Sequence, residues 1–187
     1  METLGSSEAF VPLSKHLARE HENVERLLLV LESHLARALS GEEPDPELML
    51  AILHYLTEYV DARHDPIEKL AFERLTHHLP WLGPLFEEHA RQLDDLRAKR
   101  ALFHALLDRG RSSFDRDQVT RGGFAFVAAL RRRVVVEDAE LLPAVSSVLD
   151  ADDARHIESR LRADGLEEFR ARFAEIVREA GCECEYA

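Results

Sequence analysis

Apolar residues recur in steps of three and four along four long stretches of this chain, which is the spacing of one face of an α-helix. Only eight Gly and seven Pro are spread over 187 residues, so few positions oppose long helices. Val134-Val135-Val136 would suit a strand, but the residues on both sides of it keep the helical period. The pattern predicts long helices at about residues 12–39, 46–78, 81–109 and 115–149, and shorter ones at about 151–163 and 165–180.

Short links between amphipathic helices predict an all-α fold, an up-down-up-down four-helix bundle with two extra short C-terminal helices. The length suits a single domain, with the bundle at about 12–149, a helical extension at 150–180 and a tail at 181–187. We expect a kink near Pro66, which lacks a backbone N–H, and a core position for Trp81. The C-terminal helices would cover one end of the bundle or form a dimer contact, and we expect a homodimer.

Five residues on the apolar faces are costly to bury without a partner: His21, His64, Glu68, His89 and Glu137. In an up-down bundle these positions fall within about 8 Å of one another along the bundle axis. Each could be a separate hydrogen-bonded core residue, and the glutamates could form buried ion pairs. Their common level favours a metal site inside the bundle instead.

The residue types indicate which metals such a site would bind. Helical bundles with inward-facing Glu and His hold di-iron or di-manganese centres, because a carboxylate can bridge two ions. His and carboxylate ligands favour iron or manganese, and they also suit zinc. The only cysteines, Cys182 and Cys184, lie in the tail, where we interpret them as reduced and mobile rather than as metal or redox groups.

The candidate ligands lie in four short motifs: Arg19-Glu20-His21, ARHDPIEKLAF at residues 62–72, Glu88-His89, and EDAELLP at residues 137–143. In this order and spacing the sequence resembles the hemerythrin-like family of HHE cation-binding domains over about residues 12–149. The resemblance implies a four-helix bundle that binds non-heme iron, often as an oxo-bridged pair. It also implies oxygen binding, iron or redox sensing, or a response to nitric oxide or peroxide, with the five residues above as ligands.

Two positions depart from the family pattern. Asp65 falls where many members have a second His and some have Glu, so it is a candidate additional ligand. Arg133 falls where the pattern has His, and arginine cannot bind a metal because it keeps its proton. It could pair with Glu137, one turn away, and its charge would then replace that of one metal ion. One ion, an asymmetric pair of ions, and a degenerate metal-free bundle acting as a binding or scaffold protein all remain open.

We do not expect the other polar residues near the candidate ligands, or the remaining histidines, to bind the metal directly. His16, at the mouth of the bundle, is a candidate outer-sphere group, and Asp138 is assigned to a solvated face. His54 and His104 lie far from the level of the other histidines, so we expect them to be exposed or singly hydrogen-bonded.

The charge of the chain indicates which kinds of partner are unfavourable. The chain has 24 Lys and Arg against 36 Asp and Glu, a net charge of −12, which argues against nucleic acid and anionic membranes. No apolar run reaches the ~18 residues of a membrane span, and the first residues lack a signal-peptide pattern. We therefore expect a cytoplasmic protein whose partners are a metal ion and a small gas or oxidant. No Ser-His-Asp set or phosphate loop stands out, so an enzyme is the less favoured class.

Overall fold

A computed structural model describes residues 13–110, 115–160 and 166–181 of the chain, and every element in this part is helical. The prediction of an all-α protein is confirmed. The cysteines of the tail lie outside the described residues. The α-helices are α1 (Leu13–Leu39), α2 (Pro46–Tyr59), α3 (Asp65–His78), α4 (Gly83–Gly110), α5 (Arg116–Val136), α6 (Leu142–Val148), α7 (Ala151–Arg160) and α8 (Leu166–Glu179).

Two of these helices begin at aspartate caps. The Asp45 side chain accepts hydrogen bonds from the backbone N–H groups of Glu47 and Leu48, and Pro46 occupies the first turn. The Asp115 side chain accepts a hydrogen bond from the N–H of Gln118 at the start of α5. Such caps satisfy N–H groups that have no partner within the helix, and each typically stabilises it by ~1 kcal/mol.

The second and fourth long helices are each interrupted by a π-helical turn, at Val60–His64 and at Glu137–Leu141. A proline, Pro66 or Pro143, follows two residues after each turn. A proline ring clashes with the carbonyl group four residues earlier in an α-helix, and here that carbonyl lies inside the wider π turn. The expected kink near Pro66 is therefore a π turn, a feature that is frequent at functional sites.

Buried apolar residues form two clusters that lie along the same helices. The larger cluster includes Val24, Tyr59, Leu96 and Leu130, and the smaller one includes Leu17, Ile67, Leu82 and Leu141. Buried polar residues lie between the two clusters, and we call six of them the polar layer: His21, His64, Glu68, His89, Arg133 and Glu137.

Helix packing brings this layer together. Helix α5 packs against α1 and α4, α2 packs against α1 and α4, and α3 and α6 pack against each other. Gly123 allows the close approach, since a Cβ there would lie 2.5 Å from Cδ2 of Leu35 and 2.9 Å from Cε2 of Phe103. The structure is thus a helical bundle, while its exact up-down-up-down order stays a prediction.

The C-terminal helices pack on the bundle. Helix α7 contacts α3, where Asp153 accepts a hydrogen bond from Nε of Arg74 at 2.5 Å. Helix α8 packs on α2 through Phe169 and Phe173, which contact the ring of Tyr55. These helices cover the bundle, and the dimer contact stays a prediction.

Two further features concern the surface. The prediction of a buried Trp81 is wrong, because this residue is 72% exposed. It lies in the 3₁₀ turn Pro80–Leu82 between α3 and α4, where only Leu82 faces the core. Among the described residues, no helix combines the length and the apolar character needed to cross a membrane.

Candidate metal centre

Five of the six predicted ligands lie together in the polar layer, and all five are buried: His21, His64, Glu68, His89 and Glu137. They come from α1, the first π turn, α3, α4 and the second π turn. Their side chains form two groups of three that share Glu137, and within each group the potential ligand atoms lie within 4.8 Å of one another.

The first group joins one oxygen of Glu137 to two histidines. Oε2 of Glu137 lies 2.9 Å from Nε2 of His21 and 3.1 Å from Nε2 of His64. The two imidazole rings are tilted by 56°, with their centroids 5.2 Å apart. Three ligand atoms of the kinds that bind iron, manganese or zinc therefore converge on one buried volume.

The second group uses the other oxygen of the same carboxylate. Oε1 of Glu137 lies 3.0 Å from Nε2 of His89, and Oε1 of Glu68 contacts that same nitrogen. The rings of His89 and Phe72 also form a T-shaped pair, with centroids 5.2 Å apart. The carboxylate of Glu137 therefore faces one group with each oxygen, as a carboxylate that bridges two cations would.

Hydrogen bonding leaves several of these atoms without a partner, and this tests whether the residues fit a metal. Nε2 of His21, Nε2 of His89, Oε1 of Glu68 and Oε1 of Glu137 are buried and make no hydrogen bond. They lie close to one another without the alignment that a hydrogen bond needs. Unpaired buried polar atoms are costly, and atoms that converge without pairing are suited to a shared cation. The residues present fit a metal ion.

Arg133 is the sixth member of the polar layer. Its guanidinium Nη2 donates to Oε2 of Glu68 and lies 3.3 Å from Oδ1 of Asp65, and its Nε lies 2.8 Å from Oε1 of Glu137. The side chain is only 3% exposed, and its Nη1 has no hydrogen-bond partner. A permanent positive charge thus stands beside the second group of ligands.

Asp65 does not join either group. Its Oδ1 faces Arg133, and its Oδ2 lies 3.4 Å from Nη2 of Arg97. Burial raises the pKa of this carboxyl, while the two arginines act in the opposite direction. Its role as an additional metal ligand stays a prediction.

Outer partners of the histidines are the part of the site that the sequence did not reveal in full. Nδ1 of His21 lies 2.6 Å from Oδ1 of Asp138, and Nδ1 of His64 lies 3.2 Å from Oε2 of Glu20. Metal-binding histidines usually donate their second N–H to a carboxylate in this way. The placement of Asp138 on a solvated face is therefore incomplete, since it is half exposed yet bonded to His21.

Glu20 connects the site to further polar groups. Its carboxylate accepts a hydrogen bond from the Tyr59 hydroxyl and lies 2.9 Å from Nε2 of His16, the predicted outer-sphere group. Burial favours the neutral carboxyl, but His16 and His64 hold the pKa of Glu20 far below its ordinary value. Its position directly before His21 was the available signal in the sequence.

The histidines and glutamates of the polar layer shift one another's pKa values. Burial alone would lower the pKa of each histidine, but facing carboxylates outweigh it: the pKa of His64 lies well above 6.5, and those of His21 and His89 are raised. Burial would raise the pKa of Glu137, yet the three histidines hold it well below its ordinary value. Burial and the charge of Glu137 raise the pKa of Glu68. Without a metal, protons supply part of the positive charge that these carboxylates attract.

Comparison with known families decides the membership of this chain. The family model of the hemerythrin HHE cation-binding domain matches residues 13–145, which include the whole polar layer. The chain belongs to the hemerythrin HHE family. Comparisons with curated proteins and with solved structures gave no significant match.

A cavity opens beside the polar layer of this hemerythrin domain. It has a volume of about 970 Å³, and its lining includes Glu68, His89 and Arg133 together with apolar side chains such as Phe72 and Phe86. The second group of ligands therefore borders a space large enough for water and small molecules.

Several histidines outside the site have other contacts. Nε2 of His54 lies 2.9 Å from Nε2 of His104, and Nδ1 of His104 lies 3.2 Å from Oδ2 of Asp108. His78 lies 3.1 Å from Asp153 on α7. These pairs leave the polar layer as the place where three histidines and two glutamates meet in the described part of this hemerythrin domain.

Proposed function

We propose that this protein binds iron in the polar layer, with ligand atoms drawn from His21, His64, Glu68, His89 and Glu137. The single observation that carries the proposal is the carboxylate of Glu137, whose two oxygens face three histidine Nε2 atoms at 2.9–3.1 Å inside the bundle. Membership of a cation-binding family supports the same conclusion.

The choice of iron rests on ligand chemistry. Neutral imidazoles and carboxylates, with no thiolate in the described site, suit iron and manganese and also accept zinc. The family description names cation binding but no single metal. The metal analysis described below therefore also measures manganese and zinc. When bound, iron supplies redox activity and a coordination position for a small ligand.

The chain's own residues define what such a ligand would meet. The cavity beside His89 gives it a route, and Phe72 and Phe86 make part of that route apolar. We propose that the ligand is a small gas or oxidant, and that the protein serves to sense or store this ligand or iron. An enzymatic activity is the less favoured alternative. A cytoplasmic location, one domain and a homodimer complete the proposal.

Metal analysis tests the proposal directly. The full chain is produced in iron-supplemented cells, and bound iron, manganese and zinc are measured per chain together with the visible spectrum before and after exposure to oxygen. We expect at least about one equivalent of iron per chain. Less than about a tenth of an equivalent of any transition metal, from protein that reloads none after ferrous iron is added anaerobically, would overturn the proposal.

A second candidate function is a metal-free bundle that acts as a binding or scaffold protein. The observation that favours it is Arg133, whose guanidinium contacts Asp65, Glu68 and Glu137 and could neutralise part of their charge without a metal. The unpaired Nε2 atoms of His21 and His89 weigh against it, because a bundle that had lost its metal would gain by replacing them.

A further inference from the structure

We propose that this protein binds a single metal ion, held by His21, His64 and Glu137, and that Arg133 takes the place of a second cation. The inference rests on the proposed function and specifies which half of the polar layer is used. The first group of ligands, around Oε2 of Glu137, is the metal-binding half. The second group, around Oε1 of Glu137, is the half that the guanidinium occupies electrostatically.

Arg133 contacts Asp65 and two members of the second half. Its Nη2 donates to Glu68, and its Nε lies 2.8 Å from Oε1 of Glu137, the same oxygen that faces His89 at 3.0 Å. Two of the three ligands of the second group are therefore already paired with a cation. A metal ion among Glu68, His89 and Oε1 of Glu137 would be repelled by the fixed positive charge beside it.

Outer carboxylates distinguish the two halves independently of Arg133. In the first half, Nδ1 of His21 faces Asp138 at 2.6 Å and Nδ1 of His64 faces Glu20 at 3.2 Å. These contacts favour the tautomer that leaves Nε2 free for a metal, and they make each imidazole a stronger ligand. Among the described residues no hydrogen bond reaches Nδ1 of His89, so the second half lacks this support.

Charge also distinguishes the second half. The three carboxylates that contact Arg133, those of Asp65, Glu68 and Glu137, carry a formal charge of −3, and the guanidinium reduces it to −2. These carboxylates therefore attract a further cation less strongly than they would with a neutral residue at position 133.

The ligand set of the first half has a recognised chemistry. Two imidazoles and one carboxylate, with remaining coordination positions open, are typical of mononuclear non-heme Fe(II) sites. His21, His64 and Glu137 match this set, and the second half beside them borders the cavity. The chain would then bind a small ligand at one iron, with Nη1 of Arg133 as an unused donor nearby.

The experiment is an anaerobic titration of the metal-free full chain with ferrous iron, measuring equivalents bound per chain. Three proteins are compared: the natural sequence, Arg133→His, and Arg132→His as a control on the exposed face of the same helix. We expect one equivalent for the natural chain and for Arg132→His, and two equivalents for Arg133→His. Two equivalents bound by the natural chain would overturn the inference and leave the proposed function intact.

Other outcomes of this titration are equally decisive. If the natural chain binds no iron but Arg133→His binds one or two equivalents, then Arg133 excludes metal altogether and the single-ion inference is wrong. If neither protein binds iron, the proposed function itself fails. If Arg133→His binds only one equivalent, Arg133 does not determine the number of ions, and the inference is also wrong.

If Arg133→His does not fold, a second comparison tests the same assignment. His64→Gln removes a ligand of the first half, and His89→Gln removes one of the second half. We expect iron affinity to fall by at least about 100-fold in His64→Gln and by less than about 10-fold in His89→Gln. Equal losses in the two variants would contradict the assignment of the ion to the first half.

Discussion

Nε2 of His64 lies 3.1 Å from Oε2 of Glu137, although 73 residues separate them in the sequence. His64 is the last residue of the first π turn, and Glu137 is the first residue of the second. Each π turn is wider than an α-helical turn, and such turns are frequent at functional sites. The central carboxylate and its histidine therefore both lie at local departures from α-helical geometry.

Replacing Glu20 by Gln should weaken iron binding by about 10–100-fold, because His64 would lose the carboxylate that orients its ring. Glu20 does not contact the proposed ion, so the number of equivalents bound should stay the same. Equilibrium dialysis against iron measures both quantities. Glu22→Gln, at an exposed position of the same helix, is the control and should bind as the natural chain does.

In the metal-free protein, the free energy of unfolding should fall as the pH rises above about 6.5. The pKa values of His21, His64 and His89 are raised above 6.5 in the folded state. A raised histidine pKa contributes stability that is fully present below 6.5 and is lost as the pH rises through the folded pKa. Urea denaturation at several pH values checks this, and stability that rises over the same window would contradict it.

Iron affinity should change in the opposite direction over that window. A metal competes with protons for Nε2 of His21 and His64, so binding releases protons and strengthens as the pH rises. Titrations at pH 6 and pH 8, in the same buffer at constant ionic strength, measure the difference. Affinity that is the same at both values would mean that these histidines are not ligands.

Removing the metal should lower the melting temperature. A ligand at 100 times its Kd stabilises the folded state by about 2.7 kcal/mol, which corresponds to roughly 5–11 °C for a chain of this size. Calorimetry with and without iron measures the shift. His64→Gln is the control, because a variant without the site should show little change on adding iron.

Gly123→Ala should destabilise the protein by about 1–3 kcal/mol, since an added Cβ would lie within 3 Å of Leu35 and Phe103. Gly122→Ala should be close to neutral. Its Cβ would meet the flexible end of Leu106 at 2.7 Å, and alanine favours helix by ~1 kcal/mol. Urea denaturation of both variants measures the difference, and an equal effect would show that the close approach at Gly123 is unimportant.

The helices and the ligand-bearing faces could be predicted because helical periodicity is a local property of the sequence. Leu17, His21 and Val24 on α1 are an example, since their spacing alone places all three on one buried face. The same spacing placed His64 and Glu68 together, one turn apart. The family motifs then ordered these residues into one site, and the structure brings five of the six predicted ligands together.

The remaining features depend on contacts between distant elements. The bond from Asp138 to His21 joins residues 117 positions apart, and the local pattern around Asp138 is that of an exposed helix face. Trp81 was expected in the core because it is large and apolar, yet the short turn that holds it turns it outward. The prolines after the π turns are visible in the sequence. Whether a proline produces a kink or a wider turn is determined by packing against other helices.

The most direct test is anomalous scattering at the iron absorption edge from crystals of the iron-loaded protein. The proposal predicts one strong peak per chain, in contact with Nε2 of His21, Nε2 of His64 and a carboxylate oxygen of Glu137. Two peaks in the polar layer, no peak there, or a peak only at another place such as the His54 and His104 pair would contradict it.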